Sequence, residues 1–215
     1  QVMYKATMFK WVPKPTAKEQ VFNALQPAIR FTKEQCLDLP PVMTLTREVP
    51  LTPQQNKYYN LLKEQMLVSA AGTTITAVNA ATAVSKLLQI SCGAAYNDDK
   101  EVVEFDAAPR LGVLEEILEE TQRKVIIFAM FRSSIDAIHA HLVKRGLTAE
   151  VIHGGISASK RADIIQRFQN QPDPRLLVMQ PQATAHGITL TAADTVVFYG
   201  PLMSVEQYIQ CIARA

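Results

Sequence analysis

The chain has 215 residues, 48% hydrophobic and 20% charged, which suits an ordinary globular protein of one large or two small domains. Its 22 basic and 20 acidic residues leave a net charge of +2, a balance that neither demands nor excludes nucleic acid; only a local basic groove can decide it. No apolar run approaches the roughly 20 residues of a membrane span, no signal peptide is visible, and Cys36, Cys92 and Cys211 are far apart, as in an intracellular protein with reduced thiols and no CxxC pair.

Gln1 in place of Met is expected to mark a piece of a longer chain. Residues 1 to 40 are predicted irregular, then helical. Thr16 and Glu19 have capping-box spacing ahead of Val21, Phe22, Leu25 and Ile29, and Pro27 should end that helix early. Leu39-Pro-Pro41 is a stiff joint, and Val42–Val49 is predicted to be a short strand. Thr52-Pro53-x-Gln55 starts a helix with Pro at its first position, carrying Tyr58, Tyr59, Leu61, Leu62 and Met66. Gly72 breaks the pattern. A second helix is expected from Ile75 to Ile90, with Val84, Leu87 and Leu88 inward, and a hairpin over Ala94–Phe105 turning at Asn97–Lys100.

From Pro109 the rhythm alternates. Helices are predicted at Leu111–Thr121, Ser133–Arg145 and Ser159–Gln169, and strands at Lys124–Phe131, Thr148–His153, Leu176–Gln180 and Thr195–Tyr199. Such alternation means βαβ units and a parallel sheet whose ligands lie near the strands' carboxyl ends. A final helix opens at Ser204, with Gln207 as its capping partner and Val205, Tyr208, Ile209 and Ile212 as its apolar stripe. We therefore expect a mainly helical region at 1–106 and an open α/β domain at 107–215.

The loops at the strand ends carry the residues able to do chemistry. After the first strand, Ser133 or Ser134 should cap the next helix, placing backbone N–H groups and Arg132 where a phosphate can sit. After the second, Gly154 and Gly155 permit close backbone approach, with Lys160 and Arg161 adding charge. His153 is open as a ligand contact or as a packing or capping residue. The third loop, Gln180–Gly187, precedes the last strand. On the final helix Gln210 and Arg214 share a face, and an Arg held out beside the small-residue loop around Gly187 is suited to grip phosphate; the residues alone equally describe, and by themselves favour, an ordinary strand and amphipathic helix with a surface Arg. The four His residues show no metal-ligand spacing. There is no GxxxxGK[ST] phosphate loop and no Asp-Glu pair for Mg²⁺, so the chain alone is expected not to hydrolyse ATP.

The string from Gly187 through Thr189, Asp194 and Val197 to Pro201, then Gln207-Tyr and Gln210-Cys-Ile-Ala-Arg214-Ala, resembles motifs V and VI of superfamily-two helicases. It is most similar to the Swi/Snf-type DNA translocases, in a form common in phage and prophage proteins. Leu39-Pro-Pro, Leu51-Thr-Pro-Gln-Gln-x-x-Tyr58 and Lys86-Leu-Leu-Gln-Ile90 are similar to the helical bridge between that family's two motor lobes. The resemblance covers nearly the whole chain, densely from 109 and more thinly before 91. It implies a RecA-like parallel sheet flanked by helices: the second lobe, cut within motif VI, of a DNA-dependent ATPase in a bacterial or phage-infected cytoplasm.

By the same resemblance, Phe131, Arg132, Ser133, His153, Gly154 and Thr184 face a DNA strand, while Gly187, Thr189, Gln210 and Arg214 face ATP. Arg214 is the arginine finger, and ATP with Mg²⁺ is held mainly by a first RecA-like lobe. Thr184-Ala185 replaces the family's glycine pair, and Thr189 replaces an Asn or Asp near the ribose. A DEAD-box-like RNA helicase lobe is disfavoured by Thr189 and by the helical region before the sheet. A non-catalytic α/β binding module fits the missing phosphate loop, and the sequence upstream of Gln1 would discriminate it from the motor.

Overall fold

The chain divides into two units, Gln1–Thr46 and Arg47–Ala215, and the structure, a computed structural model, describes residues 2–3, 11–27, 42–70, 72–186 and 190–213. In the first unit β1 (Val2–Met3) pairs antiparallel with β2 (Trp11–Val12), and α1 spans Ala17–Ala24. The expected Thr16–Glu19 capping box does not form. Thr16 makes no side-chain cap bond and instead accepts from Gln20 Nε2 at 3.2 Å. The helix stops short of Pro27, and Val21, Phe22 and Leu25 are exposed. Ile29 and the joint at 39–41 lie outside the described residues.

Residues 42–52 form no strand, against the expectation for Val42–Val49: they pair with no strand among the described residues, and Val42, Met43 and Leu45 are exposed. The predicted start at Thr52 is where α2 (Pro53–Gln65) begins. Thr52 Oγ1 accepts from the Gln55 N–H, and Gln55 Oε1 accepts from the Thr52 N–H, so the cap is reciprocal. Gln55, 3% exposed, also donates from Nε2 to the Ile90 carbonyl at 2.8 Å and so ties α2 to the next helix.

Met66, at φ 58, ends α2 in the left-handed region. A hairpin follows, β3 (Leu67–Ala70) with β4 (Thr73–Thr76), where the sequence showed only a break at Gly72. The helix expected from Ile75 therefore starts later, as α3 (Ala80–Ser91), because Asn79 and Thr82 cap each other reciprocally. Ile75 is fully buried as a strand residue, and Val84, expected inward, is exposed. The predicted second hairpin is present as β5 (Ala94–Tyr96) and β6 (Val102–Glu104). Leu62, Ile75, Ile90, Ala95, Val103 and Phe105 form the core of this part, with Tyr58 edge-on to Phe105 at 5.4 Å.

The remainder is the expected α/β arrangement: α4 (Ala108–Glu120), β7 (Lys124–Phe128), α5 (Arg132–Lys144), β8 (Ala149–Ile152), α6 (Ala158–Asn170), β9 (Leu176–Met179), β10 (Ala193–Phe198) and α7 (Val205–Ile212). The four strands form one parallel sheet in the order β10-β7-β9-β8. Alternate residues serve opposite faces. Val125, Ile127, Leu176, Val178 and Val197 meet Leu114, Leu118, Ile135, Ile138 and Leu142 of α4 and α5. Ile126, Phe128, Leu177, Met179 and Ile152 meet Ile164 and Phe168 of α6 and Cys211 of α7. Helices thus cover both faces, leaving the carboxyl edge of the sheet to its loops.

Three local expectations in this half are corrected. The loop after β9 winds into a 3₁₀ helix, Pro181–His186. Strand β7 ends at Phe128 rather than at Phe131. On α7, Val205 and Ile209 are 75% and 60% exposed. Cys211 takes the inward position, and the Tyr208 ring packs tilted against Phe198 with ring centroids 4.9 Å apart.

Candidate nucleic-acid interface

Phe131, half-buried against the core, is the N-cap residue of α5 and makes no side-chain cap bond. The expected capping serines sit two and three positions past the N-cap. Because the helix starts at Arg132, Ser133 and Ser134 turn inward, 7% and 1% exposed, and their hydroxyl oxygens are buried without a hydrogen-bond partner among the described residues. Ser133 can therefore offer a ligand its backbone N–H but not its hydroxyl. The neighbouring helix starts differ: Ser157 Oγ accepts from the Lys160 N–H and Ser204 Oγ from the Gln207 N–H. Of these three helices, α5 alone leaves its first-turn N–H groups without a side-chain acceptor, at the positive end of a 13-residue dipole.

Arg132 stands beside that opening with its side chain 61% exposed, and its only described ion pair is a loose one to Asp136 at 3.9 Å. It leans toward the second loop, since a Cβ placed on Gly155 would lie 3.6 Å from Arg132 Nη1. That loop is tightly bonded to itself. His153, 6% exposed, accepts at Nδ1 from the Gly155 N–H at 3.0 Å, which assigns the ring proton to Nε2. The His153 carbonyl accepts from the Ile156 N–H.

The two glycines differ. A Cβ on Gly155 would lie 3.0 Å from His153 Cε1, so the buried ring would have to give way by a few tenths of an ångström, whereas a Cβ on the exposed Gly154 would meet nothing within 4 Å. The structure therefore brings Arg132, His153 and Gly154 together at the carboxyl edge. Thr184 lies in the 3₁₀ helix that follows β9 on the same edge.

Gln180 is the site residue that sequence reasoning missed. It follows β9, the strand between β7 and β8, and its amide reaches both neighbours. Oε1 accepts from the Gly154 N–H at 3.2 Å, and Nε2 donates to the Met130 carbonyl at 3.3 Å. The only available signal was its place at the end of a fully apolar strand.

Of the residues expected to face a nucleotide, Gln210 is half-buried on α7 and donates to Glu206 Oε1 at 3.2 Å. Gly187, Thr189 and Arg214 lie outside the described residues. No helix of the described residues is long and apolar enough to cross a membrane.

Residues 109–215 match the helicase conserved C-terminal domain family. An uncharacterised ATP-dependent helicase of Mycoplasma pneumoniae is 30% identical over 175 residues, covering 80% of this chain and 17% of that protein. The CHD3-type chromatin-remodelling factor PICKLE of Arabidopsis thaliana is 25% identical over 203 residues, covering 86% of this chain and 14% of the relative. Among solved structures, the SWI2/SNF2 ATPase C-terminal domain of Sulfolobus solfataricus superposes with a TM-score of 0.51 at 22% identity, covering 70% of this chain and 68% of that one, which supports the fold. The chain thus spans under a fifth of the length of the curated relatives named here.

Proposed function

We propose that this chain, which belongs to the Swi/Snf-type superfamily-two helicases as their C-terminal lobe, is the second motor lobe of an ATP-dependent DNA translocase. The observation that carries the reading is the uncapped start of α5, with the exposed Arg132 against the Gly154 turn, at the carboxyl edge of a parallel sheet. Free N–H groups at a helix start bind phosphate oxygens, and a guanidinium beside them can take two more. The turns at Phe131, His153 and Thr184 then hold one DNA strand by its backbone, which gives affinity without sequence preference.

ATP and Mg²⁺ belong to the other RecA-like lobe, because this sequence has neither the phosphate loop nor the acidic pair they need. Gly187, Thr189, Gln210 and Arg214 are this lobe's contribution to that nucleotide. Arg214 spreads positive charge over the transferring phosphoryl group, a role that suits a permanently charged planar fork. Gln210 reaches the nucleotide by leaving Glu206. Closure of the two lobes brings in Arg214 and shifts the strand-holding turns by a step, and opening after hydrolysis resets them. The compartment that fits such a motor is the cytoplasm of a bacterial or phage-infected cell.

Duplex binding by the chain tests the strand-holding part. An Arg132→Ala substitution should weaken binding and flatten the salt dependence by about one phosphate contact, a slope change near 0.9. Binding with unchanged affinity and slope would remove Arg132 from the interface.

A further inference from the structure

The side-chain amide of Gln180 is matched at both ends to backbone groups of two different loops. It meets the Gly154 N–H with its oxygen and the Met130 carbonyl with its NH₂. A flipped amide would set donor against donor and acceptor against acceptor, so these partners fix its orientation. Its main chain is held as well, with the N–H donating to the Ile152 carbonyl and the carbonyl accepting from the Ala183 N–H. Met130 directly precedes the N-cap residue of α5, and Gly154 is the open position of the neighbouring turn.

We propose that Gln180 is a positioning residue that fixes the spacing between the uncapped helix start at 131–134 and the Gly154 turn, so that the N–H groups of the helix start meet a phosphate of a DNA strand whose backbone lies against the open Gly154. This rests on the DNA-contact reading above. The central strand β9 carries the residue because only its end lies between the two loops. The bond at Gly154 also means that this amide serves spacing rather than phosphate binding; the phosphate donors are those of α5.

Two substitutions in the chain test the inference. Gln180→Met keeps the volume and removes both polar ends. It should lower duplex affinity about ten-fold and speed amide exchange at Gly154 by a similar factor, the scale of a lost buried hydrogen bond. Gln180→Glu separates position from fold. At about pH 8 its carboxylate can accept from Gly154 but opposes the Met130 oxygen. At about pH 4, just below the ordinary glutamate value of about 4.3, a protonated carboxyl donates to Met130 as the native amide does.

Affinity of Gln180→Glu, relative to the native chain at each pH, should therefore be low at the higher pH and recover at the lower. Arg132, Asp136 and His153, the nearby charged and titratable groups, are common to both proteins and cancel in that ratio. Native-like affinity in Gln180→Met, or no recovery by Gln180→Glu at the lower pH, overturns the inference while leaving the DNA reading intact. Failure of the native chain to bind duplex at all overturns the DNA reading, and the inference with it.

Discussion

Arg110 donates from Nη1 to the main-chain oxygen of Tyr199 at 2.7 Å, and its guanidinium stands 5.5 Å over the ring of the same residue. The first turn of α4 is thereby fastened to the chain leaving β10, where Tyr199 is 5% exposed and its burial raises the phenol's pKa. Replacing Arg110 by Ala leaves a part-buried carbonyl without its donor. The expected cost is about 1–3 kcal/mol in a denaturant midpoint at unchanged slope. Arg110→Lys should recover only part of it, because a lysine can supply the hydrogen bond but not the planar stack.

Gly154 and Gly155 are neighbours with opposite demands. Gly155→Ala pushes a methyl onto the His153 ring, 3.0 Å away at Cε1, and should destabilise by about 1–2 kcal/mol through overpacking. Gly154→Ala meets open space, so its stability should stay within about 0.5 kcal/mol of the native chain. Its duplex affinity should nonetheless fall several-fold if a strand lies against that position. Thermal melts and binding titrations on the two variants separate the roles.

Asp136 is the acidic group paired, loosely, with Arg132 at 3.9 Å. It repels a phosphate strand while partly occupying the cation. Asp136→Asn should tighten duplex binding by about two- to five-fold at low salt, and the gain should fade as ionic strength rises. Anisotropy titrations at two salt concentrations read this directly.

Away from the carboxyl edge of the sheet, Glu115 accepts from Arg145 Nη2 at 2.6 Å and lies 2.6 Å from His141 Nε2. The Arg145 hydrogen bond, then that of His141, holds its carboxyl below the usual range. A carboxylate with a depressed folded pKa contributes stability that is present above the unfolded value, about 4.3, and is lost as pH falls through the folded value. Glu115→Gln should therefore melt below the native chain at neutral pH, and the gap should close as the pH drops well below 4. A constant gap across pH would exclude the linkage.

The parts of the fold visible in the sequence are those set by local patterns. Lys124–Phe128, Leu176–Met179 and Ala193–Phe198 are short runs rich in apolar residues, and they pair where such runs should. Thr52-Pro53-x-Gln55 caps α2 as its spacing predicts. Elements set by competition between patterns were less legible. Leu67–Ala70 continues the apolar residues of α2, and only the left-handed Met66 separates helix from strand. Ile75 fits a helix start until the Asn79–Thr82 box fixes the start later.

At the site, the loops, the glycines and Arg132 were legible from residue type. The inward turn of Ser133 and Ser134 depends on α5 taking its N-cap two and three positions before them, at Phe131. The bonds of Gln180 join it to residues 26 and 50 positions away, which no local spacing encodes.

The account stands most directly on phosphate release from ATP, with and without duplex DNA, by a protein that joins this chain to the ATP-holding lobe proposed above. Arg214→Ala should lower the DNA-stimulated rate by a factor of about 10³–10⁵ while duplex affinity stays within about two-fold, and the 215-residue chain alone should release none. A native rate in Arg214→Ala, or hydrolysis by the chain alone, would contradict a lobe that lends an arginine to a nucleotide held elsewhere.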